Sequence, residues 1–347
     1  MPDTATNTPP GVSYVMPVLN DVTHVAAAVE SLLNQDYSGS FDVTIALAPS
    51  IDGTEQLVKE LAQRDPRITI VPNPEGSTPA GLNLAIAASA YPIVVRVDAH
   101  SVLPPDYTRV AVETLRETGA ENVGGIMDAK GTTPFERAVA RAYGSPVGLG
   151  GTKLHVGGQP GPAETVYLGV FQREALERVG SFDEDIKRGQ DWELNQRLRA
   201  HGGTVWFTPR LRVIYRPRAN LYRLARQFFS TGAWRGELTK RLPSNASLRY
   251  LAPPLMVLSV VFGILLGIAG IIPAVFGATP WLLWGFALPV LYLVGVIVAT
   301  CVWGRGDGIV TLGWFPLVVT CIHFSWGIGF LLEFFSLTRS ITSHTGR

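Results

Sequence analysis

Three long apolar runs close this chain, at residues 251–272, 281–302 and 309–332, and none of them contains an Asp, Glu, Lys or Arg. At about 1.5 Å of rise per residue, each run is long enough as a helix to cross a hydrocarbon core of roughly 30 Å. Three such runs in succession, joined by short connectors, read as transmembrane helices rather than as buried core helices of a soluble protein. Residues before 250 have the mixed composition of a water-soluble region. The chain is therefore expected to fold against two solvents.

Orientation follows from the cationic residues. Lys240, Arg241 and Arg249 precede the first run, the connector 273–280 is uncharged, and the second connector holds Arg305 beside Asp307. This bias sets the large N-terminal region in the cytoplasm of a multi-pass protein of the cell membrane. An odd number of spans then puts the C-terminal tail outside. Arg339 and Arg347 in that tail pull the other way, and a re-entrant third segment broken near Gly313 and Pro316 would reconcile the two.

A formal net charge of +1 gives no electrostatic basis for a nucleic-acid partner. The cations that do gather, Arg210, Arg212, Arg216, Arg218, Arg223, Arg226, Arg235, Lys240 and Arg241, lie just ahead of the first run and suit anionic lipid headgroups. Cys301 and Cys321 both fall in apolar runs, so neither a disulfide framework nor a thiolate zinc site is expected. Residues 1–12 are polar and proline-rich without an apolar core, which predicts a flexible tail and no cleaved signal peptide.

Between residues 13 and 97 short β-branched runs alternate with helical stretches: strands at 14–19, 41–48, 68–71 and 93–97, helices at 22–33, 54–63 and 79–90. That alternation predicts an α/β, Rossmann-like parallel sheet. Ser77 or Thr78 ahead of Pro79 supplies a helix cap and a first-turn proline. Helix starts of this kind aim amide donors at the strand C-termini, an edge suited to phosphates. Further on, 122–127 and 165–171 read as strands, 135–143 and 191–200 as helices, and 147–162 as a glycine-rich lid between two acidic sites. Residues 221–240 read as an amphipathic helix at the membrane interface, with domain packing as the alternative.

The chemistry gathers at two places. Ile93 through Val97 is a buried strand that ends abruptly in Asp98, with His100 two residues on, where open α/β sheets bind ligands. A carboxylate there suits Mg²⁺ or Mn²⁺, which would neutralise a departing diphosphate. Gln190-Asp191-Trp192-Glu193 opens a helix, and one of its carboxylates could take a proton from an attacking hydroxyl; Asp191 is the expected base. The same acids would also stabilise a helix start without any catalytic role. Arg235 could grip a diphosphate with its planar donor fork, or face the membrane. His323, isolated in an apolar run, is expected to make a packing hydrogen bond.

With these residues assembled, the chain resembles the family 2 glycosyltransferases, and among them the membrane-attached enzymes of succinoglycan-type polysaccharide synthesis. The likeness rests on Met16-Pro17-Val18-Leu19-Asn20, Asp52-Gly53-Thr54, Gly81-Leu82-Asn83-Leu84-Ala85, Arg96-Val97-Asp98-Ala99-His100, Gly180-Ser181-Phe182-Asp183-Glu184, and the run from Gln190 to Leu198. The resemblance implies a GT-A nucleotide-sugar domain, bounded here at 13–220, followed by a linker at 221–250, a helical transmembrane region of about three helices at 251–336 and a tail at 337–347. It implies inverting transfer of a sugar from a nucleoside diphosphate donor, with Asp98 and His100 at the metal, Asp191 as base, and Pro17, Asn20, Asp52, Asn83, Asp98 and Arg235 about the donor. Three positions depart from the family pattern: 47–54 lacks a carboxylate common in relatives, His100 replaces an Asp, and Gln190 replaces a Glu.

The function these readings predict is transfer to a polyprenyl-linked saccharide at the bilayer, in synthesis of a cell-surface polysaccharide or glycolipid. Polysaccharide assembly proteins are then natural partners. A polyprenyl-phosphate glycosyl synthase, which needs no base, is the rival enzyme. A non-catalytic scaffold that keeps the fold is the rival of another class.

Overall fold

A computed structural model describes residues 8–186, 189–241, 248–277 and 280–337. Most of the expected N-terminal tail and nearly all of the expected C-terminal tail lie outside them. The chain forms two compact units, one running to Asp128 and resuming over Gly157–Tyr215, the other made of Ala129–Val156 and the chain from Arg216 onward. The expected single boundary at residue 220 thus becomes an interleaved one, because a segment ahead of Gly157 groups with the C-terminal helices.

In the first unit β1 (Val12–Val18), β2 (Phe41–Leu47), β3 (Ile68–Pro72) and β4 (Ile93–Arg96) alternate with α1 (Val25–Leu33), α2 (Thr54–Arg64) and α3 (Thr78–Ala88). These four strands are parallel, in the order β3-β2-β1-β4. All seven residues of β1 are buried. Tyr14, Met16 and Val18 enter one core with Val25, Val29 and Val58, while Val15 enters the other with Leu82. A strand covered on both faces has to be apolar on both, which is why β1 shows no polar alternation.

Next come α4 (Tyr107–Thr118) and β5 (Asn122–Ala129). The second unit then claims α5 (Pro134–Tyr143), α6 (Pro146–Leu149) and α7 (Lys153–Val156). The first resumes with β6 (Gly161–Pro162), β7 (Tyr167–Gln172), α8 (Arg173–Val179), α9 (Gln190–Ala200) and β8 (Val205–Tyr215). Beyond the four parallel strands expected from the sequence, β7 is antiparallel to both β4 and β5, and the described residues form a sheet of eight strands. β8 buries Leu211 and Val213 while Arg210 and Arg212 point outward, and Arg210 donates to Glu113 at 2.9 Å. Two cations expected at lipid headgroups are therefore strand residues.

The second unit contains α10 (Leu221–Arg241), α11 (Leu248–Val275), a 3₁₀ segment (Pro280–Phe286), α12 (Ala287–Trp303) and α13 (Ile309–Phe334). Three helices, Arg249–Ile272, Trp281–Trp303 and Ile309–Phe334, are long and apolar enough to cross a membrane. The alternative of a third segment broken near Gly313 and Pro316 is not seen, because α13 runs unbroken through Pro316. α10 has a packing partner on one side: a Cβ at Gly232 would lie 2.0 Å from the carbonyl oxygen of Trp326 on α13. The first half of the expected lid is fastened as well, since His323 Nε2 donates to the Val147 carbonyl at 2.6 Å. α5 opens with Pro134 behind a full capping box of Thr133 and Glu136.

Candidate active site

The C-terminal edge of the parallel strands gathers the first unit's charged groups. Arg96 closes β4, and with Asp98 two residues later it lies on the same side of the extended chain. Both are buried, at 5% and 8% exposure. Arg96 Nη2 donates to Asp98 Oδ1 at 2.9 Å, and its Nε lies 3.3 Å from Asp191 Oδ1. One guanidinium thus spans the carboxylate after β4 and the carboxylate in the first turn of α9. Burial alone would lower the pKa of Arg96, but the charges of Asp191 and Asp98 reverse this and hold it cationic.

Asp191 leans the other way. Burial raises its pKa above the usual carboxylate range, Arg96 opposes the rise and Asp98 adds to it, although about a third of the side chain stays open to solvent at 31% exposure. An accessible carboxylate with a raised pKa is a better proton acceptor than an ordinary one. Glu193, its neighbour in the same turn, is bound to Arg197 at 2.5 and 2.8 Å. Arg197 in turn donates to the carbonyls of Val179 and Ser181, so Glu193 serves the frame behind the site.

The loops after β1 and β2 are knitted together beside this edge. Asn20, with φ 49°, accepts from the Ile51 amide at 2.9 Å and donates its own amide to Ser50 Oγ at 3.1 Å. Asp52 accepts from the Val22 amide at 3.2 Å and from Thr54 Oγ1 at 2.6 Å, and chiefly the Thr54 bond lowers its pKa. Pro17 is buried in β1, opposite Ala46 of β2. His100 turns toward Asp21, with Nδ1 3.5 Å from Asp21 Oδ2. Burial pushes the Asp21 carboxyl up, but its bonds to His100 and His24 prevail and set it below the ordinary range.

Among the described residues no group of three or more His, Cys, Asp or Glu could hold a metal ion. Asp98 and His100 supply one carboxylate and one imidazole, a partial donor set. Such a set fits a hard divalent ion that fills its remaining positions with substrate phosphate and water.

A model of the glycosyl transferase family 2 domain matches residues 13–180. Along nearly its whole length the chain is also 32% identical, over 337 residues, to the succinoglycan biosynthesis protein ExoA of Rhizobium meliloti, covering 94% of this chain and 96% of that one. The chain belongs to glycosyltransferase family 2. A further relative is a dolichyl N-acetyl-α-D-glucosaminyl phosphate 3-β-D-2,3-diacetamido-2,3-dideoxy-β-D-glucuronosyltransferase of Methanococcus voltae, 24% identical over 66% of this chain and 74% of that one. The fold matches that of a mannosyltransferase from Pyrobaculum calidifontis solved with GDP-Man and Mn²⁺, at a TM-score of 0.58 and 17% identity over 96% of this chain and 89% of that one.

Two further predicted positions have partners of their own. Asn83 on α3 spends its amide on the turn that leads toward α9: it donates to the Phe182 carbonyl and to Glu184 at 2.8 Å each, and accepts from the Phe182 amide at 3.0 Å. Arg235 belongs to the second unit, where it is buried with its guanidinium 4.2 Å from the Trp234 ring centroid and 3.9 Å from that of Tyr250.

Sequence reasoning gave no role to Arg96 or Asp21. An arginine inside a strand of Ile and Val, two places before an aspartate, was a usable signal, because a buried cation requires a partner. Asp21 could have been flagged by the rule that selected Asp98, since it follows the first parallel strand at the same edge. Tyr167 on β7 lies opposite a glycine pair on β5 that admits no side chain: a Cβ at Gly124 would lie 2.8 Å from the Tyr167 carbonyl oxygen. Burial and then the Asp98 charge raise the Tyr167 pKa, which ties its phenol electrostatically to the site.

Proposed function

We propose that this chain is a membrane-attached, inverting glycosyltransferase that moves a sugar from a nucleoside diphosphate donor to a hydroxyl of a polyprenyl-linked saccharide, with its sheet domain in the cytoplasm. The observation that carries the reading is the Arg96 bridge between Asp98 and Asp191. It sets a diphosphate-side carboxylate and a proton-accepting carboxylate around one fixed cation.

In this reading Asp191 takes the proton of the acceptor hydroxyl. The freed oxygen attacks the anomeric carbon from the face opposite the diphosphate, the bond from that carbon to the diphosphate oxygen breaks, and the nucleoside diphosphate leaves with the electron pair. Configuration inverts because a single displacement occurs. Arg96 holds the two carboxylates at fixed separation and keeps Asp191 oriented. Pro17, Asn20 and Asp52 border the nucleotide through the knitted loops. Asn83 acts by fixing the turn before α9, and Arg235 is assigned to the donor diphosphate. Mg²⁺ or Mn²⁺ held by Asp98 and His100 would supply charge neutralisation at the leaving diphosphate.

The names of the relatives support the finer points. The Rhizobium protein serves polysaccharide synthesis, the Methanococcus one acts on a dolichyl-linked sugar, and the Pyrobaculum one binds GDP-Man with Mn²⁺. The three long apolar helices supply a membrane on which a lipid-linked acceptor would be met.

The test is transfer of label from UDP-, GDP- and dTDP-sugars into the lipid extract of membranes carrying the wild type or Asp191→Asn, with Mg²⁺ or Mn²⁺. A general base is worth about 10²–10⁴-fold, so Asp191→Asn should lower transfer by that factor and leave donor binding intact. Undiminished transfer in the variant would overturn the base and point to a lipid phosphate acceptor. Failure to bind any nucleotide sugar would turn the reading toward a scaffold.

A further inference from the structure

α13 is as apolar as a membrane span, but its neighbours are not. Along its second half it runs beside α10 in the same direction, from Cys321 at the Leu221 carbonyl to Ser336 at Lys240. The backbones touch in between: Cβ atoms at Gly232 and Gly236 would lie 2.0 and 2.5 Å from the carbonyl oxygens of Trp326 and Phe330, and one at Gly329 would lie 2.2 Å from that of Phe229. Its first half is held by α5 and α6. Phe135 meets Trp314 edge-on at 5.3 Å, Val147 accepts from His323, and Arg141 pairs with Asp307 just ahead of the helix.

α10 carries Arg223, Arg226, Arg235, Glu237 and Lys240, and α5 carries Glu136, Arg137 and Arg141. If α13 crossed the bilayer, contacts along its whole length would take two charged helices into hydrocarbon with it, where each such side chain is strongly unfavourable. α11 has charged company only near its start among these contacts, where Arg235 of α10 stacks on Tyr250 beside Arg249. Farther along, where α11 pairs with the 3₁₀ segment and α12, Cβ atoms at Gly263, Gly267 and Gly270 would come nearest to Gly285, Phe286, Leu288, Pro289 and the Leu282–Leu283 stretch, all of them uncharged. α13 touches that hairpin at Pro253 and Val257 near the start of α11, at Gly304 just past the end of α12, and through the long side chain of Tyr292 in the first half of α12. The exposure differs too: in the most apolar stretch of each helix 39% of α13 is buried, against 28% for Arg249–Ile272 and 17% for Trp281–Trp303, and α13 opens to its surroundings along a stripe through Val310, Leu317 and Ile328.

We propose that α13 does not cross the membrane. It lies along the boundary between headgroups and acyl chains, with its stripe of Val310, Leu317 and Ile328 on the lipid and its other sides covered by α5, α6 and α10. The bilayer is the occupant of that stripe because α13 packs directly on α11 and α12, at Gly327 and Gly304, and those helices expose apolar side chains such as Leu265, Leu291 and Ile297. Only the hairpin of α11 and α12 crosses, and the chain after Leu337 stays on the side of α5 and α10. Arg339 and Arg347 then sit on the side that the positive charge bias selects. This inference concerns the second unit alone and does not depend on the transfer chemistry.

The test is cysteine labelling of the full chain in intact cells with a membrane-impermeant maleimide, before and after permeabilisation. Cys301 and Cys321 are replaced by Ala, and single cysteines are placed as Lys130→Cys ahead of α5, Ala278→Cys between α11 and α12, and Ser343→Cys in the tail. Ser343→Cys should behave as Lys130→Cys does and opposite to Ala278→Cys, with labelling of the first two rising together several-fold on permeabilisation. Ser343→Cys behaving as Ala278→Cys would make α13 a span and overturn the proposal, and all three behaving alike would overturn the crossing of the hairpin. A green fluorescent protein fused after Arg347, fluorescent only on the cytoplasmic side, gives an independent reading of the tail in an unmutated chain.

Discussion

The two units use the same residue types for opposite ends. In the sheet unit Val15, Ile45 and Leu82 are fully buried and charge is taken inside beside them, as the bridge from Arg96 to Asp98 and Asp191. In the helical unit Leu265, Leu291 and Ile297 are 60–64% exposed, and close contacts are made where glycine lets two backbones meet. Glycine itself changes job. Gly53, Gly180 and Gly189 hold positive φ at helix ends in the sheet unit, whereas Gly232, Gly267 and Gly329 are helical and serve by having no side chain. Water drives the first arrangement by expelling apolar surface. The second cannot rely on that force where lipid surrounds it, so it depends on close packing.

The sharpest way to break this contrast is to remove the buried cation. Arg96→Gln takes the shared guanidinium charge from between Asp98 and Asp191, and removing one partner of a buried pair typically costs about 3–5 kcal/mol. The expected value is at the low end, about 3 kcal/mol, because Asp191 keeps 31% exposure. The variant also has a kinetic signature with a fixed sign. Arg96 is what restrains the raised pKa of Asp191, so its removal raises that pKa further. The basic form then appears only at higher pH, and the acid limb of kcat should move upward. A pH profile with an unmoved acid limb would detach Arg96 from the base. Arg96→Lys should recover part of the stability without restoring both contacts, since an ammonium cannot reproduce the planar fork.

A second substitution tests the other side of the comparison. Gly232→Ala puts a methyl group 2.0 Å from the Trp326 carbonyl oxygen, and overpacking of this kind costs about 1–3 kcal/mol. Gly295 on α12 has nothing within 4 Å of where a Cβ would stand, so Gly295→Ala should be neutral or slightly stabilising, by up to about 1 kcal/mol of helix propensity. Thermal unfolding of the detergent-solubilised protein compares the two. Equal effects would mean that backbone approach does not hold α10 on α13.

What could be read in advance follows the same divide. β1 through β4 were legible because a doubly covered parallel strand must be a run of β-branched apolar residues, and the apolar helices were legible because lipid demands it. α4 was not, since its buried face includes Thr108 and Thr114, with Thr108 bound to Gln35 and Tyr14, and these polar residues blur the helical period. β8 was hidden by Pro209 and by Arg210 and Arg212, which resemble a basic membrane-proximal stretch until the strand's alternation turns them outward. Asp98 and Asp191 stood out as acids at a strand end and a helix start. Their common partner did not, because which carboxylates Arg96 meets is decided by long-range packing of β4 beside α9. Nor could apolarity reveal what surrounds α13, since the pattern of a lone helix records its own faces and not the charges of its neighbours.

The smallest expected effect bears on that last point. Thr133 caps α5 by accepting from the Glu136 amide at 3.2 Å, while Glu136 reaches back to the Thr132 amide at 2.8 Å and the Thr133 amide at 3.2 Å. Thr133→Ala removes only the first of these, and in water the freed amide is rehydrated, so the loss should be about 1 kcal/mol, with Thr133→Ser restoring it. That figure is conditional on the solvent. An amide freed within lipid has no water to replace the bond and would cost several kcal/mol. Unfolding of Thr133→Ala therefore reports which side of the boundary α5 occupies. A loss near 1 kcal/mol places the start of α5 in water, and with it the Arg141 tie that fixes the entry to α13. A loss several times larger would place α5 in the bilayer and remove the reason for keeping α13 out of it.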